Sequence, residues 1–162
     1  MKSPSLSSEF SEDGAVEQPA LALLQQLGWQ HLNLMEEKPG PDNPTGRTSF
    51  HQAWLPARLR AALTKLNPGL PTEALKLAEE VLTQDRSALS PIAANRELYY
   101  LLRAGVRVEI KRPEDGKSET VTVRAIDWRD VAANDFLVAS QAWVQGLLHK
   151  RRPDTLGFVN GL

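Results

Sequence analysis

There is no cysteine in this chain. Disulfides, zinc–thiolate sites, iron–sulfur clusters and thiol nucleophiles are excluded together. Long apolar runs are missing as well: Ala20–Leu24 and Leu98–Leu102, five residues each, are the longest. A membrane-spanning helix needs about 20, and the first residues lack the apolar core of a secretory signal. The expectation is a cytoplasmic protein without a membrane segment. Neither sign of charge prevails, with 19 Lys plus Arg against 20 Asp plus Glu and a net charge of −1. No global field draws in a polyanion. The G-x-x-x-x-G-K-[ST] phosphate loop and the G-x-S-x-G nucleophile elbow do not occur. His31, His51 and His149 lack the i, i+4 spacing of a zinc helix and read as surface or packed histidines.

What is present suits one globular domain. The 162 residues are 41% hydrophobic and 24% charged, and a chain of this length buries roughly 68–70% of its unfolded surface. Charge is unevenly spread. The first fifty residues carry three basic and seven acidic side chains, the remainder sixteen and thirteen. The tight basic cluster Lys150-Arg151-Arg152 is where a polyanion would bind; the alternative for it is a solvated loop.

Residues 1–14 contain five serines, a proline and acidic residues, which predicts a disordered tail before a single domain over residues 15–162. Val16, Leu23, Leu24 and Leu27 then share a helical face, with Pro19 in the first turn and Gly28 just past the end. Trp29–Met35 reads as a short strand. Glu36–Ser49, with three prolines and two glycines, reads as a surface loop. Leu55, Leu59, Leu63 and Leu66 predict a helix stopped by Asn67-Pro68-Gly69. Thr72 is the expected cap of a second helix, Glu73–Thr83, with Leu75, Leu77, Ala78 and Leu82 on its apolar face. Ser90-Pro91 opens a third, with Ile92, Leu98, Tyr99 and Leu102 toward the core and Gly105 at its end.

Beyond Gly105 the period becomes two. Val106, Val108 and Ile110 alternate with charged residues, Pro113-Glu114-Asp115-Gly116 turns the chain, and Val121, Val123 and Ala125 return. Asp127–Asn134 is a polar connection. Asp135–Val144 is apolar on both faces, as a central strand would be, and Asp154–Val159 is the last strand. Trp29, Trp54, Trp128 and Trp143 read as core and boundary anchors, with a base-stacking role the alternative for one of them. The fold class expected is mixed α/β.

Asn160-Gly161 is the preferred centre of a two-residue type I′ hairpin, because both positions need positive φ. A return strand is thereby announced with only Leu162 to begin it. The expectation is an N-terminal piece of a longer chain or a truncated gene product; the alternative is a frayed tail. In such a hairpin, position 154 faces a residue about thirteen further on. Asp154 stands at the start of an apolar strand, just after three cations. Mg²⁺ takes carboxylate and water oxygens and uses few protein ligands when phosphate supplies others. Arg side chains beside it could hold neighbouring phosphates. Asp154 would then be one half of a metal site, or a residue that merely starts a strand.

An ordered set of segments is similar to one known family. It comprises Val16-Glu17-Gln18 leading to Leu27-Gly28-Trp29, Leu66-Asn67-Pro68 with Leu70-Pro71, and Asn95-Arg96 before Leu101-Leu102-Arg103-Ala104-Gly105-Val106. Ile126-Asp127-Trp128, Asn134-Asp135-Phe136-Leu137-Val138 with Gln141, Arg151-Arg152-Pro153-Asp154, and Phe158-Val159-Asn160-Gly161-Leu162 follow. Together they resemble the N-terminal region of the restriction (R) subunit of type I restriction endonucleases, a nuclease domain of the PD-(D/E)xK class. The resemblance implies a restriction-endonuclease-like mixed sheet flanked by helices and incomplete at its C-terminal end. Asp154 would be the first acidic Mg²⁺ ligand of the motif. The family's Glu-x-Lys follows the Asn-Gly turn, beyond Leu162. A glutamate from the first helix often joins such sites; Glu17 is the choice here, Glu12 the second, and an ordinary first-turn acid favoured by the helix dipole is the alternative. For Asn134-Asp135 a turn closing onto a strand is preferred to a catalytic role. The resemblance further implies DNA as substrate, with Lys150, Arg151 and Arg152 on its phosphates. It implies modification and specificity subunits as partners, and ATP used only by a translocase region that this chain does not encode. The rival reading is a non-catalytic DNA-binding or protein-interaction module.

Overall fold

A computed structural model describes residues 16–112, 114–146 and 148–162. The predicted tail and Pro113 of the predicted turn lie outside the described residues. Among the described residues four α-helices and seven strands follow in the order α1 (Gln18–Gln26), β1 (Gln30–Asn33), α2 (Pro56–Leu66), α3 (Thr72–Thr83), α4 (Pro91–Ala104), β2 (Val106–Lys111), β3 (Ser118–Val123), β4 (Phe136–Ser140), β5 (Val144–Gln145), β6 (Lys150–Arg151) and β7 (Thr155–Val159), with a short 3-10 turn at Val131–Ala133. The class is mixed α/β, as the alternation of helical and two-residue periods predicts.

β4 is the centre of a three-stranded mixed sheet. It runs parallel to β1 and antiparallel to β7, and four of its five residues are buried. A central strand is covered on both faces, which is why its sequence is continuously apolar rather than alternating. It is shorter than expected. After Ser140 the backbone of Gln141 takes a positive φ of 58°, and the chain leaves the sheet to form the small β5–β6 ladder.

The β2–β3 hairpin pairs Val106 with Val123 and Val108 with Val121, in the register the alternation requires. Val106, Val108 and Ile110 face one core with Leu59 and Leu63 of α2 and Ala74, Ala78 and Leu82 of α3. A second core, under the mixed sheet, joins Leu34, Leu55, Leu137, Ala139, Ala142 and Phe158. Leu55 stands just before α2, so that helix ties the two cores together. Asn67 ends α2: its amide donates to the carbonyls of Leu63 and Arg124, 2.8 Å each, and accepts from the Arg124 backbone N–H.

Three helix details differ from expectation. Pro71, not Thr72, occupies the N-cap of α3, and no side chain caps it; Pro71 is extended, which starts the helix at Thr72 itself. In α1 only Leu21 is buried, while Val16, Leu23 and Leu27 are exposed. In α4 Leu98 and Leu102 reach the core but Ile92 and Tyr99 face outward, with Ile92 74% exposed. Ser90 caps α4 as predicted, its hydroxyl accepting from the Ala93 N–H.

The Asn160-Gly161 turn is an ordered element, so the frayed-tail alternative fails. Both residues have positive φ, 56° and 83°, and Val159 and Leu162 exchange both backbone hydrogen bonds. Asn160 is 1% exposed. Its side chain accepts from the Asp135 N–H and donates to the Ala125 carbonyl and to Asn134. The Gly161 carbonyl accepts from the Leu55 N–H at 2.7 Å. A Cβ at 161 would lie 2.6 Å from the Leu59 nitrogen, so only glycine fits this contact with α2.

Candidate functional site

Parallel β1 and β4 end at the same edge of the sheet, and antiparallel β7 begins there, with Ser140 opposite Thr155. Open sheets tend to form clefts outside the carboxyl ends of their parallel strands. Here a cleft of about 600 Å³ is lined by Glu17 and Gln18, His31 and Asn33 of β1, Ser140, Gln141, Arg152, Asp154 and Thr155. Strand alternation explains the pairing of 31 with 33. The positive φ of Gln141 turns its N–H onto the Asp154 carbonyl, 2.9 Å away, which fixes the chain that carries the carboxylate. His31 Nε2 lies 2.9 Å from the Ser140 hydroxyl.

Glu17 and, from the Arg152-Pro153-Asp154 segment, Arg152 and Asp154, singled out at opposite ends of the sequence, therefore line one cavity. Glu17 occupies the N-cap position of α1 without making a side-chain cap bond. Among the described residues neither the Glu17 nor the Asp154 carboxylate has a hydrogen-bond or ion-pair partner. Two carboxylates with open oxygens are hard donors of the type Mg²⁺ accepts, with water completing the shell. No group of three or more His, Asp or Glu residues able to hold a metal occurs among the described residues. Glu12 lies outside them.

The three cations are not equivalent. Lys150 Nζ lies 3.8 Å from the Phe50 ring centroid and 4.5 Å from that of Trp143. The Arg152 guanidinium lies 5.2 Å from the Trp143 ring. Arg151 is exposed, in β6 opposite Val144.

Beside this cluster the loop before α2 contains a buried ion pair. Arg47 bonds Glu37 at 2.7 Å, with side chains 1% and 2% exposed. Thr45 and Asn43 also donate to the Glu37 carboxylate, at 2.7 and 3.0 Å. Burial pushes the Arg47 guanidinium below its ordinary pKa, and Glu37 opposes that shift. Arg47 also donates to the Trp143 carbonyl.

Asp135 and Asn134 act as framework. Asp135 takes both its oxygens to Arg58, at 2.7 and 2.8 Å, and Asn134 bridges the Asp127 backbone to Asn160. Sequence reasoning missed His31, Asn33, Ser140 and Gln141 as cleft residues, and Phe50 and Trp143 as the rings under the cations. Gln141 alone had a signal, as a member of the resemblance.

The fold and cleft define a mixed α/β domain with an acidic pocket and a basic rim. Residues 9–162 match the family described as the type I restriction enzyme R protein N terminus. The chain is 34% identical over 154 residues to the type I restriction enzyme HindI endonuclease subunit of Haemophilus influenzae, covering 91% of this chain and 14% of that protein. It is 32% identical over 158 residues to a Methanocaldococcus jannaschii protein named as the type I restriction enzyme MjaIXP endonuclease subunit, covering 95% and 14%. This chain thus belongs to the family of type I restriction enzyme R protein N-terminal regions. It spans about 14% of the length of these relatives.

Proposed function

We propose that the cleft is the DNA-cleaving site of a nuclease domain of the PD-(D/E)xK class, acting in the cytoplasm on foreign DNA. The observation that supports it is that Glu17, at the start of α1, and Arg152 and Asp154 of the Arg152-Pro153-Asp154 segment, at the far end of the sequence, line one cavity. Asp154, with Glu17, would hold Mg²⁺. The bound ion would orient water and neutralise charge that develops on the phosphodiester in the transition state. Arg152, with Lys150, neutralises flanking phosphates and sets the register of the strand. The Val159–Leu162 pair would set the register of a return strand, on which the Glu-x-Lys of the resembling family would face Asp154. Translocation with ATP, and docking to modification and specificity subunits, belong to the remaining length of such proteins.

The test is Asp154→Asn in the full-length subunit, assembled with its modification and specificity subunits. DNA cleavage with Mg²⁺ should fall by at least about 100-fold, as loss of a metal ligand or its support does, while ATP hydrolysis persists. Cleavage at the wild-type rate would overturn the reading and favour a non-catalytic module.

A further inference from the structure

Next to the cleft, two rings and two cations form an arrangement that the carboxylates alone do not explain. Phe50 and Trp143 are half-buried, and Lys150 and Arg152 lie over their faces. Both cations are nevertheless exposed, so their N–H donors remain open to solvent. Residues 150 and 152 share one side of an extended chain and 151 takes the other. Arg151 makes no ring contact among the described residues.

The rings are fixed from beneath. The Gln145 N–H donates to the Phe50 carbonyl at 2.9 Å, tying Phe50 to β5. Arg47 donates to the Trp143 carbonyl and lies 5.7 Å from the Phe50 ring centroid. Its charge is neutralised by buried Glu37, so it does not compete for anions. Arg152 stands on this platform and also lines the cavity of Glu17 and Asp154.

We infer that Phe50 and Trp143 are positioning residues, which hold Lys150 and Arg152 at the lip of the cleft as a pair of contacts to DNA phosphates, with Arg151 taking no part. The inference rests on the nuclease reading and gives it a defined phosphate subsite. A free Lys or Arg side chain surrenders most of its rotamer freedom when it clamps a phosphate. A ring face attracts the cation without using its hydrogen-bond donors. Part of that ordering is then complete before DNA arrives, and the planar guanidinium keeps its fork of N–H groups for the phosphate.

The experiment measures binding of a short fluorescein-labelled DNA duplex by anisotropy, without divalent ion, between about 50 and 200 mM salt. Trp143→Leu and Phe50→Leu should each weaken binding about three- to fivefold, the scale of a lost cation–ring contact. Trp143→Phe should restore it. Lys150→Ala with Arg152→Ala should reduce the slope of log affinity against log salt by about 2, while Arg151→Ala leaves it unchanged. Adding Trp143→Leu to the chain that lacks both cations should cost nothing further. An equal loss in that background would mark Trp143 as merely structural and overturn the inference. So would a reduced slope in Arg151→Ala, or wild-type affinity in both leucine variants. If the wild-type chain binds no duplex at the lowest salt, the nuclease reading itself falls; binding that is indifferent to the platform defeats the inference alone.

Discussion

Asn160 shows how much one side chain can hold. It is buried, sits in the left-handed region, and satisfies the Asp135 N–H, the Ala125 carbonyl and Asn134 at once. Asn160→Ala takes the side-chain partner from the Asp135 N–H and the Ala125 carbonyl, leaves Asn134 Oδ1 with the Asp127 N–H alone, and places alanine at positive φ, so it should cost about 3 kcal/mol, read from the urea midpoint; a loss under about 1 kcal/mol would mean that water substitutes for the amide. Asp127 gives a pH signature. The Asp130 and Arg129 N–H groups donate to its carboxylate, holding its pKa below the usual range, with Arg124 and Arg129 adding to the effect. A depressed folded pKa contributes stability that is present above about pH 4 and lost as pH falls through the folded value. The melting-temperature gap between wild type and Asp127→Asn should therefore be open at pH 6 and close below about pH 4. A gap independent of pH would place the effect in packing rather than charge. Asn160 was legible in the sequence because Asn-Gly is a local signal. Phe50 and Trp143 were not, because their meaning depends on cations about a hundred and fewer than ten residues away, respectively, and no periodicity records that contact.

Among the elements, the β2–β3 hairpin was legible in register as well as type, because alternation and turn residues act locally and in agreement. The helices were legible in position but not in burial. Periodicity states which side of α1 or α4 is apolar; only the tertiary arrangement decides whether anything covers it, and Leu23, Leu27, Ile92 and Tyr99 remain exposed. The two-residue strands β5 and β6 fall below any repeat that could be detected. Gln141 at positive φ is equally silent, since glutamine has no preference for that region. The difference between stripe and core has a measurable consequence. Ile92→Ala should change stability by no more than about 0.5 kcal/mol, whereas Leu63→Ala, at a position 1% exposed between α2 and the hairpin, should cost about 2–5 kcal/mol. Comparable losses at both sites would mean that α4 packs on a partner surface in solution.

For the whole molecule, the site and the cores occupy different places. Both hydrophobic clusters lie among α2, α3, the hairpin and the sheet interior, while Glu17 and Asp154 stand at the open edge where β1 and β4 end and β7 begins. The sequence made the acidic and basic members of this cleft visible one by one. The meeting of Glu17 with Arg152 and Asp154, and the company of His31, Asn33 and Ser140, follow from strand order, which local pattern does not encode. Since the carboxylates support no hydrogen bond of the described fold, stability and ion binding should separate. Without divalent ion, Glu17→Gln and Asp154→Asn should melt like wild type, within about 0.5 kcal/mol. With Mg²⁺ at a hundred times its dissociation constant, a wild-type chain that binds it only when folded gains about 2.7 kcal/mol, seen as a rise in melting temperature. Asp154→Asn should lose that rise and Glu17→Gln should reduce it. If Asp154→Asn keeps the full Mg²⁺ response, or if wild type shows none up to millimolar ion, the two carboxylates do not form a cation site in this chain.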